Sequence, residues 1–200
     1  MRFLSLDFEG SHKNPRQGCP VQLGVAVMDG GEVLASQEWI IQPPYHWKSG
    51  KPLREVDAYA LRVSGLSLED IETGYTAQAV CDGLAEFVHK HSAAGLPVVA
   101  FNISYDYECY TDLLWNGGEF DYDIRERVGY VAILHHVWIC AWQCARRAYP
   151  SMIRASLDEV AALFDLSRST DKHGALEDAI LAGRVFSAIM ALRSKEVVTS

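Results

Sequence analysis

The sequence predicts a mixed sheet packed against helices, of α/β or α+β class. Three observations lead there. Strand patterns joined by a hairpin turn open the chain, a short fully apolar run stands between two helical patterns, and the last third reads as helical. Strands followed by helices, with one buried strand set among the helices, is the element order of that class.

Residues 3–9 (FLSLDFE) alternate with the strand period. Leu4, Leu6 and Phe8 face one way, and Phe3, Ser5, Asp7 and Glu9 face the other. A loop holding Gly10, Asn14, Pro15 and Gly18 follows. Residues 21–28 (VQLGVAVM) form a second strand, Asp29-Gly30-Gly31 a hairpin turn, and residues 32–41 a third strand. Residues 42–66 carry three prolines and an aromatic cluster, Tyr45, His46 and Trp47, and read as a surface connection long enough to be functional. Ala77, Val80, Cys81, Leu84, Phe87, Val88 and His91 mark one face of a helix over 76–91, ended by Gly95 and Pro97. Residues 97–101 (PVVAF) are continuously apolar, as a strand buried on both faces is. A helix from Tyr105 to Trp115 is stopped by Gly117-Gly118. Within 119–155 the pattern gives a strand at Val137–Cys140 and a helix at Ala141–Ala148, closed by Pro150. Ser156 and Glu159 form a capping box opening a helix to Phe164. The last helix spans Gly174 to Arg193 with Leu176, Ala179, Ile180, Gly183, Phe186 and Ile189 inward. With no internal repeat and no Gly/Ser linker, residues 1–200 are expected to form a single domain.

The composition, 49% hydrophobic and 22% charged over 200 residues, excludes disordered and low-complexity classes. No run of eighteen apolar residues exists, so no membrane span is expected. Asp7 and Glu9 interrupt the stretch in which a secretion signal needs its apolar core. The five cysteines include no Cys-x-x-Cys and read as reduced thiols, so a cytoplasmic location is expected. A net charge of −8 argues against coating nucleic acid by bulk attraction. It leaves open an enzyme that holds a phosphodiester through metal ions, because such a site needs clustered carboxylates.

Three acidic pieces stand out. Asp7-Phe8-Glu9 puts two carboxylates on one strand face, roughly 7 Å apart along the chain, where they repel unless a cation lies between them. Asn102 follows the buried strand, and Asp106 lies four residues on, in the first turn of a helix. His173 precedes the last helix, and Asp178 lies on its first turns beside small Gly174, Ala175 and Ala179. Each piece alone has an ordinary explanation: a solvated strand face, a strand terminator with a helix-start acid, a surface histidine.

Together, Asp-x-Glu, Asn-x-x-x-Asp and His-x-x-x-x-Asp resemble the three motifs of the DEDDh (DnaQ-like) 3′–5′ exonuclease family, in order and spacing, across roughly residues 1–190. HGALEDA is close to the family's third motif, and VQLGVAV and SLDEVAALF resemble its second strand and the helix before that motif. The resemblance implies an α/β, RNase H-like fold: a mixed five-stranded sheet flanked by helices, with the second strand antiparallel to its neighbours. It implies that Asp7, Glu9, Asp106 and Asp178 are catalytic acids that ligate metal, and that His173 is the general base. Asn102 would help position the scissile end. Gly10-Ser11-His12 replaces the family's usual Thr-Thr-Gly or Met-Thr-Gly. That segment, with Lys172, is expected to touch substrate, and Arg168, adjoining His173, is a further candidate for phosphate contact.

The implied reaction is phosphodiester hydrolysis at the 3′ end of single-stranded DNA or RNA. Two divalent cations, Mg²⁺ or Mn²⁺, suit a set of hard carboxylate ligands and this reaction. A histidine with an ordinary pKa near ~6.5 can accept the attacking water's proton near neutral pH. The expected partner is a nucleic-acid 3′ end, with a second copy of the chain as another candidate and no membrane. Competing readings are a catalytically silent module that binds nucleic acid or protein, and a polymerase-associated proofreading subunit. The few residues after the last helix favour a free-standing exonuclease. Tyr45 and Trp47 are candidates for stacking on bases. His136, Cys140 and Cys144, at helical spacing, read as core rather than as metal ligands.

Overall fold

The computed structural model describes residues 1–44, 54–116, 136–169 and 173–198. Tyr45, His46, Trp47, Gly117, Gly118, His135 and Lys172 lie outside them. Five strands form one sheet: β1 (Arg2–Gly10), β2 (Pro20–Asp29), β3 (Glu32–Ile40), β4 (Val98–Ala100) and β5 (Trp138–Cys140), in the order β3-β2-β1-β4-β5. β2 is antiparallel to β1 and β3, while β4 is parallel to β1 and β5. The fold is α/β, an open mixed sheet with helices packed against it.

The helices are α1 (Ala58–Val63), α2 (Leu68–Glu72), α3 (Ala77–Lys90), α4 (Ile103–Asn116), α5 (Ala141–Ala148), α6 (Leu157–Ala162) and α7 (Ala175–Val198). None of the described helices is long and apolar enough to cross a membrane. The alternation in β1 divides the core in two. Leu4, Leu6 and Phe8 pack with Val80, Leu84, Cys109 and Leu113 of α3 and α4. Phe3 turns to the other face, with Ala26, Met28 and Phe186 of α7. Asp7 and Glu9 share the parity of Phe3, and so lie on the α7 face.

One helix, α1, occupies part of the segment 42–66 read as a surface connection, and a second, α2, follows just beyond it. Asp57 caps α1 by accepting from the Tyr59 N–H, and Ser67 with Asp70 forms a capping box for α2. Each has one buried apolar residue, Leu61 and Ile71, too few to give a helical period over so short a run. α4 begins at Ile103, before the expected Tyr105, because the Asn102 carbonyl already accepts from the Tyr105 and Asp106 N–H groups. Cys140 and Cys144 do not share a helix: Cys140 ends β5, and Cys144 sits in α5. The capping box at Ser156 opens α6 as expected, but the helix closes at Ala162, and Asp165 has a positive φ of 55°.

Candidate active site

The site lies at the carboxyl end of parallel strands β1 and β4, where α/β sheets place their ligands. α7 runs back along β1. Ala179 near its start accepts from Ser5 Oγ at 2.6 Å, and Gly183 further on faces Phe3, Ser5 and Met28. The first turn of α7 is held from two strands. The Ala175 N–H donates to Gln22 Oε1 of β2 and the Leu176 N–H to Glu38 Oε1 of β3, each at 3.2 Å. Helix starts leave such N–H groups without partners inside the helix, so these two side chains fix both its capping and its position.

Asp7, Glu9 and Asp178 converge there, with one carboxylate oxygen from each lying within 4.8 Å of the others. Asp106 stands beside them on α4 with another attachment, since its Oδ1 accepts the Phe8 N–H at 3.0 Å. That N–H points toward the β4 side of β1, as the Leu4 N–H does, but β4 has ended by then. Asp106 thus continues the ladder that β4 leaves unfinished.

The electrostatics follow from crowding and burial. Burial raises the Asp7 carboxyl well above its ordinary value, and neighbouring Asp106, Glu9 and Asp178 add to that. Burial first, then Asp178, pushes Glu9 up to about 7. Asp106 is pushed up to about 8 by burial, although hydrogen bonds from the Phe8 N–H and its own N–H oppose the rise. Carboxyls buried and crowded in this way favour their protonated forms, and a cation bound among them would favour the charged ones. The donor set, hard carboxylate oxygens alone, fits Mg²⁺ or Mn²⁺.

One positive charge is already present. Arg168 binds Asp178 through two of its three guanidinium nitrogens, Nε to Oδ1 at 2.5 Å and Nη2 to Oδ2 at 2.9 Å, and the third, Nη1, donates to Asp158. Its side chain is only 9% exposed. His173 leans on the same acid from the solvent side, Nδ1 lying 3.6 Å from Asp178 Oδ2, with 42% of its side chain exposed.

The other expected substrate residues are placed differently from one another. Asn102 is exposed at the start of α4. Gly10 lies against Tyr105, whose hydroxyl is 2.2 Å from where a Gly10 Cβ would stand. Ser11 is fully buried and turned away from the acids: its Oγ donates to the Glu55 carbonyl at 2.6 Å and accepts the Cys19 N–H at 3.0 Å. His12 is engaged with its own loop, Nδ1 accepting the Asn14 N–H at 3.0 Å. Gln22, Glu38 and Ser5 contribute to the site without standing out as chemistry in the sequence. The one available signal was Gln22, a polar residue inside an apolar run.

No curated protein sequence matches this chain. Its fold, however, is shared with nuclease structures. Exonuclease X in complex with 5′ overhanging duplex DNA superposes with a TM-score of 0.65 at 16% identity, covering 96% of this chain and 93% of that one. The nuclease domain of 3′hExo, a DEDDh family member bound to rAMP, gives a TM-score of 0.67 at 11% identity, covering 96% and 92%. E. coli Exonuclease I in complex with a dT13 oligonucleotide gives 0.64 at 14% identity, over 99% of this chain and 43% of that one. These similarities show a common fold. Residues 4–186, from the strand that carries Asp7 through the helix that carries Asp178, match the family model described as exonuclease, and this chain belongs to that exonuclease family.

Proposed function

We propose that the chain is a DEDDh-type, metal-dependent 3′–5′ exonuclease acting at the 3′ end of single-stranded DNA or RNA, with residues 1–200 as its single catalytic domain. The observation that carries this reading is the convergence of Asp7 and Glu9 from β1 with Asp178 from α7, with Asp106 alongside. Divalent ions, two of Mg²⁺ or Mn²⁺, supply Lewis-acid activation of water and stabilisation of the leaving oxygen. Asp7, Glu9 and Asp178 are the residues that would hold them, with Asp106 completing the set. Asp106 also holds the end of β1 through the Phe8 N–H, so a ligand and the strand carrying its neighbours move as one. His173 is exposed enough to meet a water from the solvent side and takes its proton. Asn102, exposed at the mouth, is placed to position the terminal nucleotide. The solved relatives bound to DNA and to rAMP support a nucleic-acid substrate.

A 5′-labelled single-stranded oligonucleotide incubated with Mn²⁺ tests this. Shortening from the 3′ end one nucleotide at a time, abolished by Asp7→Asn and by chelator, is the expected result. Failure to shorten matched DNA and RNA strands under these conditions would leave the silent binding module in its place.

A further inference from the structure

The neighbourhood of Asp178 holds a feature that metal ligation does not call for. Arg168 sits in the short connection between α6 and α7, its side chain almost wholly covered. Both oxygens of Asp178 accept from it in the paired fork geometry that makes arginine–carboxylate contacts strong and directional. Its third nitrogen is held by Asp158, in the first turn of α6, whose side chain is half exposed. The guanidinium therefore lies between a carboxylate inside the site and one outside it. Its charge also offsets part of the repulsion among the acids, lowering the proton affinity of Asp7 and of Glu9. A divalent ion ligated by Asp7, Glu9 and Asp178 would stand close to that same guanidinium, and two cations held by one carboxylate oppose each other.

We propose that Arg168 is the built-in counter-ion of the carboxylate site: it occupies both oxygens of Asp178 and holds the site assembled until a divalent ion takes Asp178 from it, while Asp158 keeps the released guanidinium at the rim. The inference rests on the metal-binding reading above. Arg168 is here a positioning residue that acts through Asp178. Binding of the ion and binding of the guanidinium are then coupled with negative sign, and the coupling is visible from either side. Asp158 gives the displaced charge a partner near solvent, so it need not be buried alone.

The test is a Mn²⁺ titration of the metal-free full chain, followed by the electron paramagnetic resonance of free Mn²⁺, together with thermal melts in chelator. The proteins compared are the wild type, Arg168→Gln, Arg168→Lys and Asp7→Asn. Arg168→Gln is expected to bind Mn²⁺ about 10-fold more tightly than wild type, within the usual range of site-to-site coupling, while its metal-free form melts lower at pH 8. Arg168→Lys keeps the charge but loses the fork, and should fall between them on both measures. If Arg168→Gln does not fold in chelator, the lysine variant still decides the matter through its Mn²⁺ affinity. Unchanged or weaker Mn²⁺ binding in folded Arg168 variants would overturn the proposal, since Arg168 would then be orienting Asp178 for the metal rather than competing with it. Failure of the metal reading itself looks different: wild type and Asp7→Asn would both ignore Mn²⁺, whatever Arg168 does to the melts.

Discussion

Gly24 lies directly beneath the backbone of Leu176: a Cβ on Gly24 would stand 2.2 Å from the Leu176 nitrogen. Gly24 is also the β2 partner of Asp7. The same position thus sets how closely the helix carrying Asp178 approaches the strand carrying Asp7 and Glu9. The obstacle is backbone and cannot rotate away.

Gly24→Ala should accordingly cost about 1–3 kcal/mol of stability, the usual range for an overpacked core. It should also weaken Mn²⁺ binding by lifting the first turn of α7. Chemical denaturation and a Mn²⁺ titration of the variant check both. Wild-type values in the two together would mean that α7 tolerates displacement and that Gly24 does not set the site.

Asp106 has two separable duties. Asp106→Asn keeps an oxygen to accept the Phe8 N–H but loses the charge, so it should abolish nuclease activity and leave stability near neutral pH equal to wild type or higher. Asp106→Ala loses both and strands a buried N–H, which costs about 1–3 kcal/mol before any relief of repulsion. A stability difference between the two variants, with activity absent in both, is the expected outcome.

Asp7 and Asp178 should respond with opposite signs. Asp7→Asn removes a buried charge among like charges and should stabilise the metal-free protein at pH 8. Asp178→Ala also removes a proposed ligand, but it breaks the fork to Arg168 and leaves that charge with Asp158 alone, so it should destabilise the protein. Denaturation curves in chelator distinguish them. A shared sign would show that the Arg168 pair contributes little to stability.

The pH dependence of stability follows from the raised carboxyls. Asp7, Glu9 and Asp106 hold protons more tightly folded than unfolded. The stability tied to their protonation is fully present below their unfolded values near ~4 and is lost as pH rises through the folded ones. For Glu9 the folded value is about 7, and for Asp106 about 8. Chelated protein should thus lose stability from this pocket between about pH 4 and 8. Glu9→Gln should recover on the order of 2 kcal/mol at pH 8 and almost nothing at pH 4. Urea denaturation at both pH values reads this directly, and parallel wild-type and variant curves would refute it.

His173 touches Asp178 at ion-pair distance yet faces solvent. His173→Ala should lower turnover by about 10²–10⁴, the usual worth of a general acid or base, and leave Mn²⁺ affinity nearly unchanged. A drop in affinity matching that of Asp7→Asn would make it a ligand.

The strands were legible because each carries its period or its apolar run undiluted: 3–9, 21–28 and 97–101 all fall on observed strands, and the second is antiparallel to its neighbours. Strand parity put Asp7 and Glu9 on one face, but that Asp178 joins them was legible only through the resemblance of the three acidic motifs to the DEDDh exonuclease family. What the sequence hid was of a different kind. α1 and α2 are too short to show a period, and their caps, Asp57 and the Ser67–Asp70 box, are less distinctive than a Ser-to-Glu box. Ser11, in a polar loop, reads as exposed, but its contacts with Glu55 and Cys19 turn it inward. The roles of Gln22 and Glu38 depend on partners far away in the chain, and the pairing of Arg168 with Asp158 and Asp178, each ten residues off across a loop, follows no helical or strand spacing.

Ser5 in the first strand donates to Ala179 in the last helix, 174 residues later. The acids on β1 therefore remain without Asp178 until α7 has been synthesised, at rates of about 5–20 residues per second. During that interval the growing polypeptide carries two of its carboxylates on a strand with one face still bare. A translation product stopped before α7 contains Asp7, Glu9 and Asp106 but never the geometry that joins them to Asp178.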